Sequence, residues 1–374
     1  MRILYFSENY SIHDHRFLVK MVESGHEIFF MRLDNNDHHL EARNIPAGVK
    51  IVTGLNEQSK SENPEKLRSL VPSFKESINA ISPDIVHAGH IQSCGYLTAL
   101  IDFHPFILMS WGSDILVDAD KNELLRGITR FTLKRSDRIL CDCNAVREKI
   151  HQMVEYNDEK IIQFPWGVNL QLFKPGPDFL DLKSKYGWAD CYVILSSRMW
   201  EPIYGIKTVL HSFYIAYSKN PRLRLILLGD GSLSADIKNF IHKYNLEKII
   251  MLPGIIDNDL LPDFYRSVDL YLSCSFSDGS SVSLLEALAS GLPVVVTDFP
   301  SNREWIVNEK NGFLSPADDK WYFAEAINRI STKNKSELKI ISKNNREVAE
   351  KRANWNKNIL KLFDTYGSFE KMKT

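Results

Sequence analysis

The sequence predicts an α/β protein with two units, each built on a parallel β-sheet that helices cover. Short apolar runs alternate with segments of helical periodicity along the chain, which is the pattern of parallel α/β architecture. The length of 374 residues suggests two domains at about 150 residues per domain. Residues 165–177, rich in turn formers, separate two such αβ series. We expect domains at residues 1–165 and 166–354, with a helix near residues 355–374 packing back onto the first.

The predicted strands are short and nearly continuous in apolar residues, as expected when helices cover both faces of a sheet. In the first domain they span residues 3–6, 27–31, 84–88, 106–110, 138–142 and 161–164. In the second they span residues 192–196, 224–229, 248–252, 269–273 and 293–297. Ligands bind beyond the carboxyl ends of such strands. A central cleft between the two sheets is therefore the expected place for a small-molecule site.

Two helices of the second domain are predicted from their residues. Apolar residues recur at helical spacing at Ile206, Val209, Leu210, Phe213 and Tyr217. Another helix is expected to end after Leu288, because Gly291 follows and glycine is favoured just past a helix C-terminus.

The composition excludes several classes of protein. Hydrophobic residues make up 44% and charged residues 25% of the chain, a globular balance unlike that of disordered proteins. The net charge of −1 argues against nucleic-acid binding, which needs a basic surface. No apolar run reaches the length of a membrane-spanning helix. Five cysteines without a CxxC pair make zinc and disulfide frameworks unexpected, and the protein is predicted to be cytoplasmic.

Positive charge is concentrated in the C-terminal region. From Ser331 to the end there are 11 Lys or Arg and five acidic residues. Two interpretations stay open. The region could contact anionic lipid at the inner face of the membrane, or it could be an ordinary solvated helical face.

The most informative stretch is residues 273–288, where a strand leads through a loop of small residues into a helix that begins near Ser283. Small residues let backbone N–H groups approach an anion, and a helix N-terminus adds unpaired donors. This indicates a phosphate-binding loop with Asp278 near a sugar and Glu286 near ribose hydroxyls. The alternative is structural, because Ser283 and Glu286 match a capping box and Asp278-Gly279 is an ordinary turn dipeptide.

The chain resembles glycosyltransferase family 4, the retaining enzymes of the two-Rossmann GT-B fold. That family carries two acids separated by seven residues, followed by Ala-Met/Leu-Ala-x-Gly-x-Pro-Val-Val. The matching residues here are Asp278, Glu286 and residues 287–295. Residues 228–231, 252–254, 311–314 and 166–175 are also similar to family segments. The resemblance spans nearly the whole chain and is weaker in the first 160 residues.

The resemblance implies roles for the matching side chains. Glu286 would bind the nucleotide ribose, and Asp278 would contact the transferred sugar. Arg198 would pair with the diphosphate and stabilise the leaving group, although it could be a surface ion pair instead. Further donor contacts are implied from a glycine turn and from the backbone of the loop and helix start, at Gly229, Gly279, Ser280, Ser281, Val282 and Ser283.

The chain departs from the family at several positions. Where the family has Lys-Gly after the arginine, this chain has Tyr204 and a glycine, so a second phosphate cation is missing unless Lys207 takes its place. Where the family often has His before Gly-x-Asp, this chain has Trp111, followed by Asp114. Both are assigned to the catalytic centre. Trp111 is expected to stack on a sugar or close the cleft floor, and Asp114 to face the cleft unless it is an exposed turn residue.

The histidines offer weaker candidates. His87 and His90 lie at the end of a predicted strand and could hold the acceptor, with ordinary loop histidines as the alternative. Pairs such as His38-His39 lack the spacing of a metal ligand set. The Asp-x-Asp segments at residues 118–120 and 257–259 are interpreted as polar turns. No metal ion and no cofactor are expected.

As a whole, the resemblance implies a retaining glycosyltransferase that moves a sugar from a nucleotide diphosphate-sugar to an acceptor hydroxyl. The expected acceptor is a glycan, a lipid-linked sugar or a small molecule, in cell-surface glycan or glycolipid synthesis such as polysaccharide biosynthesis. Nucleic acid is not an expected partner. Two alternatives stay open: a nucleotide-sugar epimerase or hydrolase of the same fold, and a non-catalytic nucleotide-sugar-binding partner subunit.

Overall fold

Strands and helices alternate along the chain in a computed structural model, which describes residues 1–34, 41–55 and 64–371. The chain forms two compact units. The N-terminal unit comprises Met1–Phe164 with Ile359–Thr374, and the C-terminal unit comprises Pro165–Asn358. Each unit holds one sheet, and the strand pairs between described residues are all parallel. The predicted α/β class is confirmed.

The sheet of the N-terminal unit has the strand order β3-β2-β1-β4-β5-β6-β7 in the described part of the chain. Its strands are β1 Arg2–Ser7, β2 Glu27–Arg32, β3 Val49–Val52, β4 Ile85–Ala88, β5 Phe106–Met109, β6 Arg138–Cys141 and β7 Ile161–Gln163. The central strands are apolar and buried, because helices cover both faces. The order reverses between β1 and β4, and such a switch point opens a crevice at the carboxyl ends of the strands.

In the described residues, the N-terminal unit has seven helices before Phe164, in addition to the C-terminal helix given below. They are α1 Ile12–Glu23, α2 Pro64–Ser69, α3 Val71–Ile81, α4 Tyr96–Leu100, α5 Ser113–Leu116, α6 Glu123–Arg135 and α7 Asn144–Met153. A π-helical turn spans Ile91–Gly95, and 3₁₀ turns span Asp118–Asp120 and Asp158–Lys160.

The sheet of the C-terminal unit has the order β10-β9-β8-β11-β12-β13. Its strands are β8 Tyr192–Ser196, β9 Leu223–Leu228, β10 Ile250–Gly254, β11 Leu270–Ser273, β12 Val294–Thr297 and β13 Phe313–Ser315. Its helices are α8 Leu182–Lys185, α9 Ile206–Lys219, α10 Ser234–Lys243, α11 Leu261–Arg266, α12 Val282–Ala289, α13 Pro300–Arg303, α14 Lys320–Ser331, α15 Lys335–Arg352 and α16 Trp355–Asn358, with a 3₁₀ turn at Pro202–Tyr204. The order reverses between β8 and β11.

The last helix, α17 Leu360–Lys371, belongs to the N-terminal unit. Its Tyr366 is fully buried, and the Tyr366 hydroxyl lies 2.8 Å from Nδ1 of His87 in β4. Residues 355–374 were predicted to form one helix that packs on the first domain. Residues 355–371 form two helices instead, and only α17 belongs to the N-terminal unit, because α16 belongs to the C-terminal unit.

Two strands escaped sequence reasoning. β3 pairs only with β2 among the described strands and exposes Lys50 and Ile51, so it shows no continuous apolar run. β13 has three residues, too few for a pattern. Both lie at a sheet edge. An edge strand buries fewer side chains than a central strand, so its sequence needs fewer apolar residues.

Candidate functional site

The C-terminal unit brings its predicted site residues together where the strand order reverses. The chain leaves β8 toward Arg198, and it leaves the neighbouring β11 through the loop of residues 274–281. That loop leads into α12, which begins at Val282. The predicted donor residues therefore share the edge of the sheet where ligands bind in this type of fold.

Arg198 is oriented by contacts on several sides. Its Nη2 lies 2.8 Å from Oδ2 of Asp278, and its Nη1 donates to Oγ of Ser281 at 2.9 Å and to Oγ of Ser283 at 3.1 Å. The guanidinium lies over the ring of Tyr204, 4.1 Å from the ring centroid. Its side chain is only 12% exposed. Arg198 is thus a buried, fixed cation and not a surface ion pair.

Two atoms of this ion pair have no hydrogen-bond partner. Nε of Arg198 is buried without one, and so is Oδ2 of Asp278, which is close to Nη2 of Arg198 but not aligned for a hydrogen bond. Burial works to lower the pKa of Arg198, but the carboxylate of Asp278 outweighs it, and the pKa lies above its usual value. Because an unsatisfied buried donor is costly, this geometry favours an anion as the partner of Nε–H.

Two glycines let the segments of the site approach each other. Gly229 has a φ of +102°, and a Cβ there would lie 2.9 Å from the carbonyl oxygen of Arg198. Gly205 has a φ of +62°, and a Cβ there would overlap the carbonyl oxygen of Cys274. Gly229 thus sets the position of Arg198, and Gly205 sets the position of the loop that carries Asp278.

The start of α12 differs from the capping box that was the structural alternative. Its N-cap is Ser281, whose side chain makes no capping hydrogen bond to the helix and accepts from Arg198 instead. Ser283 lies inside the helix, where its hydroxyl accepts from Tyr271 at 2.7 Å. The Ser283–Glu286 capping box is therefore wrong. The first amide groups of α12, from Val282 onward, have no partner within the helix and can donate to an anion.

The loop before α12 is held by contacts beyond its own turn. The carbonyl oxygen of Asp278 accepts from Oγ of Ser301 at 2.7 Å, and its side chain pairs with Arg198. Gly279 and Ser280 are buried. Asp278-Gly279 thus belongs to a loop anchored by contacts beyond its own turn, which an ordinary turn dipeptide would not require.

Glu286 is held by a tyrosine from a neighbouring helix. Oη of Tyr265 in α11 lies 2.9 Å from Oε2 of Glu286 and 2.9 Å from Oγ of Ser197. Tyr265 is fully buried, and this burial raises the pKa of its phenol well above the usual value. The phenol therefore stays protonated and donates, which orients the carboxylate of Glu286.

Lys207 does not supply the missing cation. Its Nζ lies 2.7 Å from Oδ2 of Asp236, and both side chains are more than half exposed. Tyr204, at the position where a lysine was expected, covers Arg198 with its ring. The aromatic face of Tyr204 therefore attracts the guanidinium, whereas the positive charge of a lysine at this position would repel it.

In the N-terminal unit, Asp114 does not face solvent. It is 1% exposed, and its carboxylate accepts from Oγ of Ser110 at 2.7 Å and from the amides of Trp111 and Ile91 at 3.1 and 3.3 Å. Burial raises the pKa of Asp114. These hydrogen bonds connect the segments after β4 and β5. The alternative of an exposed turn residue is therefore wrong, and the assignment of Asp114 to the catalytic centre stays a prediction.

Trp111 is partly buried in a group of rings. The centroid of its ring lies 5.5 Å from that of His13, 5.9 Å from that of His90 and 6.2 Å from that of Phe17, edge-on. The indole is therefore held beyond the carboxyl end of β5. Its stacking on a sugar stays a prediction.

His87 and His90 have different surroundings. His87 is 0% exposed beneath Tyr366 of α17, and burial lowers its pKa to about 3. It is a neutral core residue, so an acceptor-binding role for His87 is wrong. His90 is 33% exposed, and its Nδ1 lies 3.3 Å from Oε2 of Glu8.

The two Asp-x-Asp segments form turns, and the first also forms ion pairs. Asp118 lies 2.7 Å from Lys121, and Asp120 lies 3.1 Å from Arg126, while residues 257–259 enter another turn. In the described ranges there is no group of three or more His, Cys, Asp or Glu that could hold a metal ion, and His38-His39 lies outside them. No helix in the same ranges is long and apolar enough to cross a membrane.

Sequence reasoning missed two side chains near these sites, Tyr265 and Glu8, and it missed the contact made by Tyr204. Tyr265 contacts Glu286 and Tyr204 contacts Arg198, and the spacing of these residues along the chain indicates neither contact. Glu8 directly follows β1, and that position, at the carboxyl end of a central strand, was a signal that could have singled it out.

Comparison with known proteins assigns a family description to each half of the chain. Residues 179–348 match the family model described as "Glycosyl transferases group 1", and residues 2–143 match the one described as "Glycosyl transferase 4-like". One relative is the UDP-Gal:alpha-D-GlcNAc-diphosphoundecaprenol alpha-1,3-galactosyltransferase of Escherichia coli. It is 29% identical over 243 residues, 63% of this chain and 61% of that protein. The chain thus spans less than two thirds of that relative's length.

Solved structures share the fold. Sucrose-phosphate synthase of Thermosynechococcus elongatus matches with a TM-score of 0.83 and 17% identity over 100% of both chains. Anabaena Alr3699/HepE, solved in complex with UDP, matches with a TM-score of 0.79 and 18% identity over 98% of this chain and 100% of that chain. The predicted GT-B fold, with two Rossmann-like units, is confirmed.

Proposed function

We propose that this chain, whose two halves are glycosyltransferase domains in a GT-B fold, transfers a sugar from a UDP-sugar to an acceptor hydroxyl. The observation that carries the proposal is the guanidinium of Arg198, fixed beside the N-terminus of α12 with a buried Nε–H that has no partner. A planar cation next to open helix amides suits a diphosphate. The names of the Escherichia coli relative and the Anabaena structure include UDP-Gal and UDP, which supports UDP as the nucleotide.

In the proposed reaction, the bond between the sugar and the diphosphate breaks, and negative charge develops on the leaving UDP. Arg198 and the amides of α12 stabilise that charge. Asp278 holds the guanidinium plane and contacts the sugar. The acceptor oxygen forms a bond to the anomeric carbon on the face that UDP leaves, and the leaving phosphate takes the proton of that hydroxyl. The configuration is therefore retained, and no strong protein base is needed. Positioning and electrostatics then account for most of the rate.

A radiolabelled UDP-sugar turnover assay tests this proposal. Transfer to an acceptor supports it. Hydrolysis without transfer or isomerisation of the sugar would indicate the epimerase or hydrolase alternative, and UDP-sugar binding without turnover would indicate a partner subunit. The name of the Escherichia coli relative includes GlcNAc-diphosphoundecaprenol, so a lipid-linked sugar is the first acceptor to be assayed.

Removing the Tyr265 hydroxyl is expected to weaken UDP binding. Tyr265→Phe takes away the hydrogen bond that orients Glu286, and we expect the Kd for UDP to rise about tenfold, as for a hydrogen bond to a charged group. Calorimetric titration measures it. Binding of inorganic diphosphate, which has no ribose, should stay unchanged. Tyr217→Phe, at a ring that stacks on Phe213, is the control. Equal losses for UDP and diphosphate would contradict a ribose role for Glu286.

The transferase is expected to need no divalent metal ion. Arg198 and the α12 N-terminus supply the positive field, so excess EDTA should leave the initial rate within about twofold, because no Lewis acid is required in this scheme. Loss of activity with EDTA and its recovery with Mn²⁺ would contradict this expectation. Asp118 and Asp120 would then be candidate metal ligands.

We propose that the protein is cytoplasmic and that its basic C-terminal region can contact the inner face of the membrane. The exposed cations of the C-terminal region are Lys335, Lys339, Lys343, Lys351, Arg352 and Lys357 in the C-terminal unit and Lys361 and Lys371 in α17. Arg346 is not part of this surface, since it donates to backbone carbonyls within the C-terminal unit. Sedimentation with anionic vesicles at low and high salt tests the contact, because lysine–lipid attraction is screened by salt.

A further inference from the structure

A chain of hydroxyl groups leads from the core of the C-terminal unit to the start of α12. Tyr271 in β11 is fully buried, and its hydroxyl donates to Oγ of Ser283 at 2.7 Å. Oγ of Ser283 in turn lies 3.2 Å from Oγ of Ser281, the N-cap of α12. Burial raises the pKa of Tyr271, so the phenol keeps the proton that it donates. The chain therefore begins with a donor of fixed direction.

Arg198 fixes the direction of the remaining hydrogen bonds in this chain. Its Nη1 donates to Oγ of Ser281 at 2.9 Å and to Oγ of Ser283 at 3.1 Å. A serine oxygen accepts two hydrogen bonds, and those of Ser283 come from Tyr271 and Arg198. Ser283 must therefore donate its own proton to Ser281. The oxygen of Ser281 then also accepts two hydrogen bonds, one from Arg198 and one from Ser283.

The hydroxyl proton of Ser281 is left without an acceptor in the part of the chain that the structure describes. The side chain makes no capping hydrogen bond to α12, and Ser281 is only 6% exposed. A buried donor without a partner costs free energy. Nε–H of Arg198 is buried without a partner as well, and the first amides of α12 have none within the helix. Donors of three kinds at one place favour an anion as their common acceptor.

We propose that the hydroxyl of Ser281 donates a hydrogen bond to the diphosphate of the nucleotide-sugar and is thus a further contact of the leaving group. The inference rests on the proposed function, because it adds a side chain to the site of that transferase. Ser281 keeps its proton and acts as a hydrogen-bond donor only. Tyr204 stands where a second cation was expected, so Ser281 supplies an uncharged donor beside the single guanidinium of Arg198. A hydrogen bond to an ionised phosphate is stronger than one between neutral groups.

Free UDP and uridine test the proposed acceptor of the Ser281 proton. UDP has the diphosphate without a sugar to transfer, and uridine has no phosphate. We expect Ser281→Ala to raise the Kd for UDP about tenfold, as when a hydrogen bond to a charged group is lost, and to leave the Kd for uridine unchanged. Calorimetry measures the binding of UDP, and ligand-detected NMR that of uridine. An unchanged Kd for UDP, or an equal loss for uridine, overturns the proposal.

Two further serine variants make this experiment specific to the hydroxyl. Ser281→Thr keeps a hydroxyl at the same position and should recover most of the affinity for UDP. Ser290→Ala removes a buried hydroxyl at the other end of the same helix, where Ser290 is the C-cap and 7% exposed, and it should bind UDP as the wild type does. A loss in either variant as large as that in Ser281→Ala overturns the role of the Ser281 hydroxyl.

A double-mutant cycle separates direct contact from a role through Arg198. Because Ser281 accepts a hydrogen bond from Arg198, Ser281→Ala could weaken UDP binding by releasing the guanidinium. We therefore compare Arg198→Ala with the double variant Arg198→Ala/Ser281→Ala. A direct hydrogen bond to the diphosphate predicts that the second substitution raises the Kd for UDP about fivefold more. No further rise would make Ser281 a positioning residue of Arg198 and overturn the proposal.

UDP binding by the wild-type chain separates this inference from the proposed function. If the wild type binds UDP and Ser281→Ala binds it equally well, the inference about Ser281 fails and the proposed function stands. If the wild type does not bind UDP, the proposed function itself fails.

Discussion

Arg198→Ala is expected to lower the rate of sugar transfer by about two to three orders of magnitude, the range for loss of a group that stabilises charge in a transition state. The guanidinium contacts Asp278, Ser281 and Ser283 and presents a buried Nε–H. Its stabilisation grows as the leaving UDP gains charge, so the rate should fall more than the affinity for UDP. Single-turnover assays measure the rate, and calorimetry measures the affinity.

Two further variants make the Arg198 experiment specific. Arg198→Lys keeps the charge but loses the planar fork, and we expect it to recover only a small part of the rate. Arg303→Ala removes an exposed arginine of the same unit that pairs with Asp298, and it should behave as wild type. Transfer at the wild-type rate in Arg198→Ala would refute the diphosphate role, and an equal loss in Arg303→Ala would show that general charge is responsible.

Gly205→Ala is expected to reduce the free energy of unfolding by about 3 kcal/mol, from a left-handed φ together with a steric overlap. A Cβ at this position would meet the backbone carbonyl of Cys274, and a backbone group cannot move aside as a flexible side chain does. The loop of residues 274–281 must therefore shift, which displaces Asp278 and Ser281 from Arg198. We also expect UDP affinity to fall about tenfold, as when a charged hydrogen bond is lost.

Gly187→Ala is the matched control. Gly187 has a similar φ of +66°, but a Cβ there would have nothing within 4 Å. It should cost only about 1 kcal/mol, the share due to the left-handed backbone, and leave UDP affinity unchanged. Urea unfolding followed by circular dichroism and calorimetric titration measure the two effects. If both alanine variants lose equal stability, the packing of Gly205 against Cys274 is not what holds the loop.

The strands at the centre of both sheets could be predicted because each is covered on both faces and so consists of consecutive apolar residues. The strand Tyr192–Ser196 has the predicted bounds, and α9 begins at Ile206 as its spacing indicated. β3 could not be found in this way. It is an edge strand with Lys50 and Ile51 exposed, and it buries too few side chains to require a run of apolar residues.

The donor site was predictable residue by residue but not as an assembly. Arg198 and Asp278 each follow a strand, which places both at the ligand edge, yet their ion pair joins residues far apart in the chain. The capping box failed for a related reason. Ser283 fits the local pattern, but hydrogen bonds from Tyr271 and Arg198 occupy its hydroxyl, and α12 begins one residue earlier, at Val282.

The sequence by itself determined the α/β class, the position of the break near Pro165 and the segments that carry the site, because these follow from apolar periodicity and turn formers along the chain. Only the tertiary structure decided which polar side chains are buried. His87 was a candidate acceptor contact, but Tyr366 of α17 buries it. Asp114 could have been an exposed turn residue, but hydrogen bonds from the segments after β4 and β5 bury it. A side chain is buried by helices and strands that are distant from it in the sequence. Burial changes its hydrogen-bond partners and its pKa, and its chemistry depends on both.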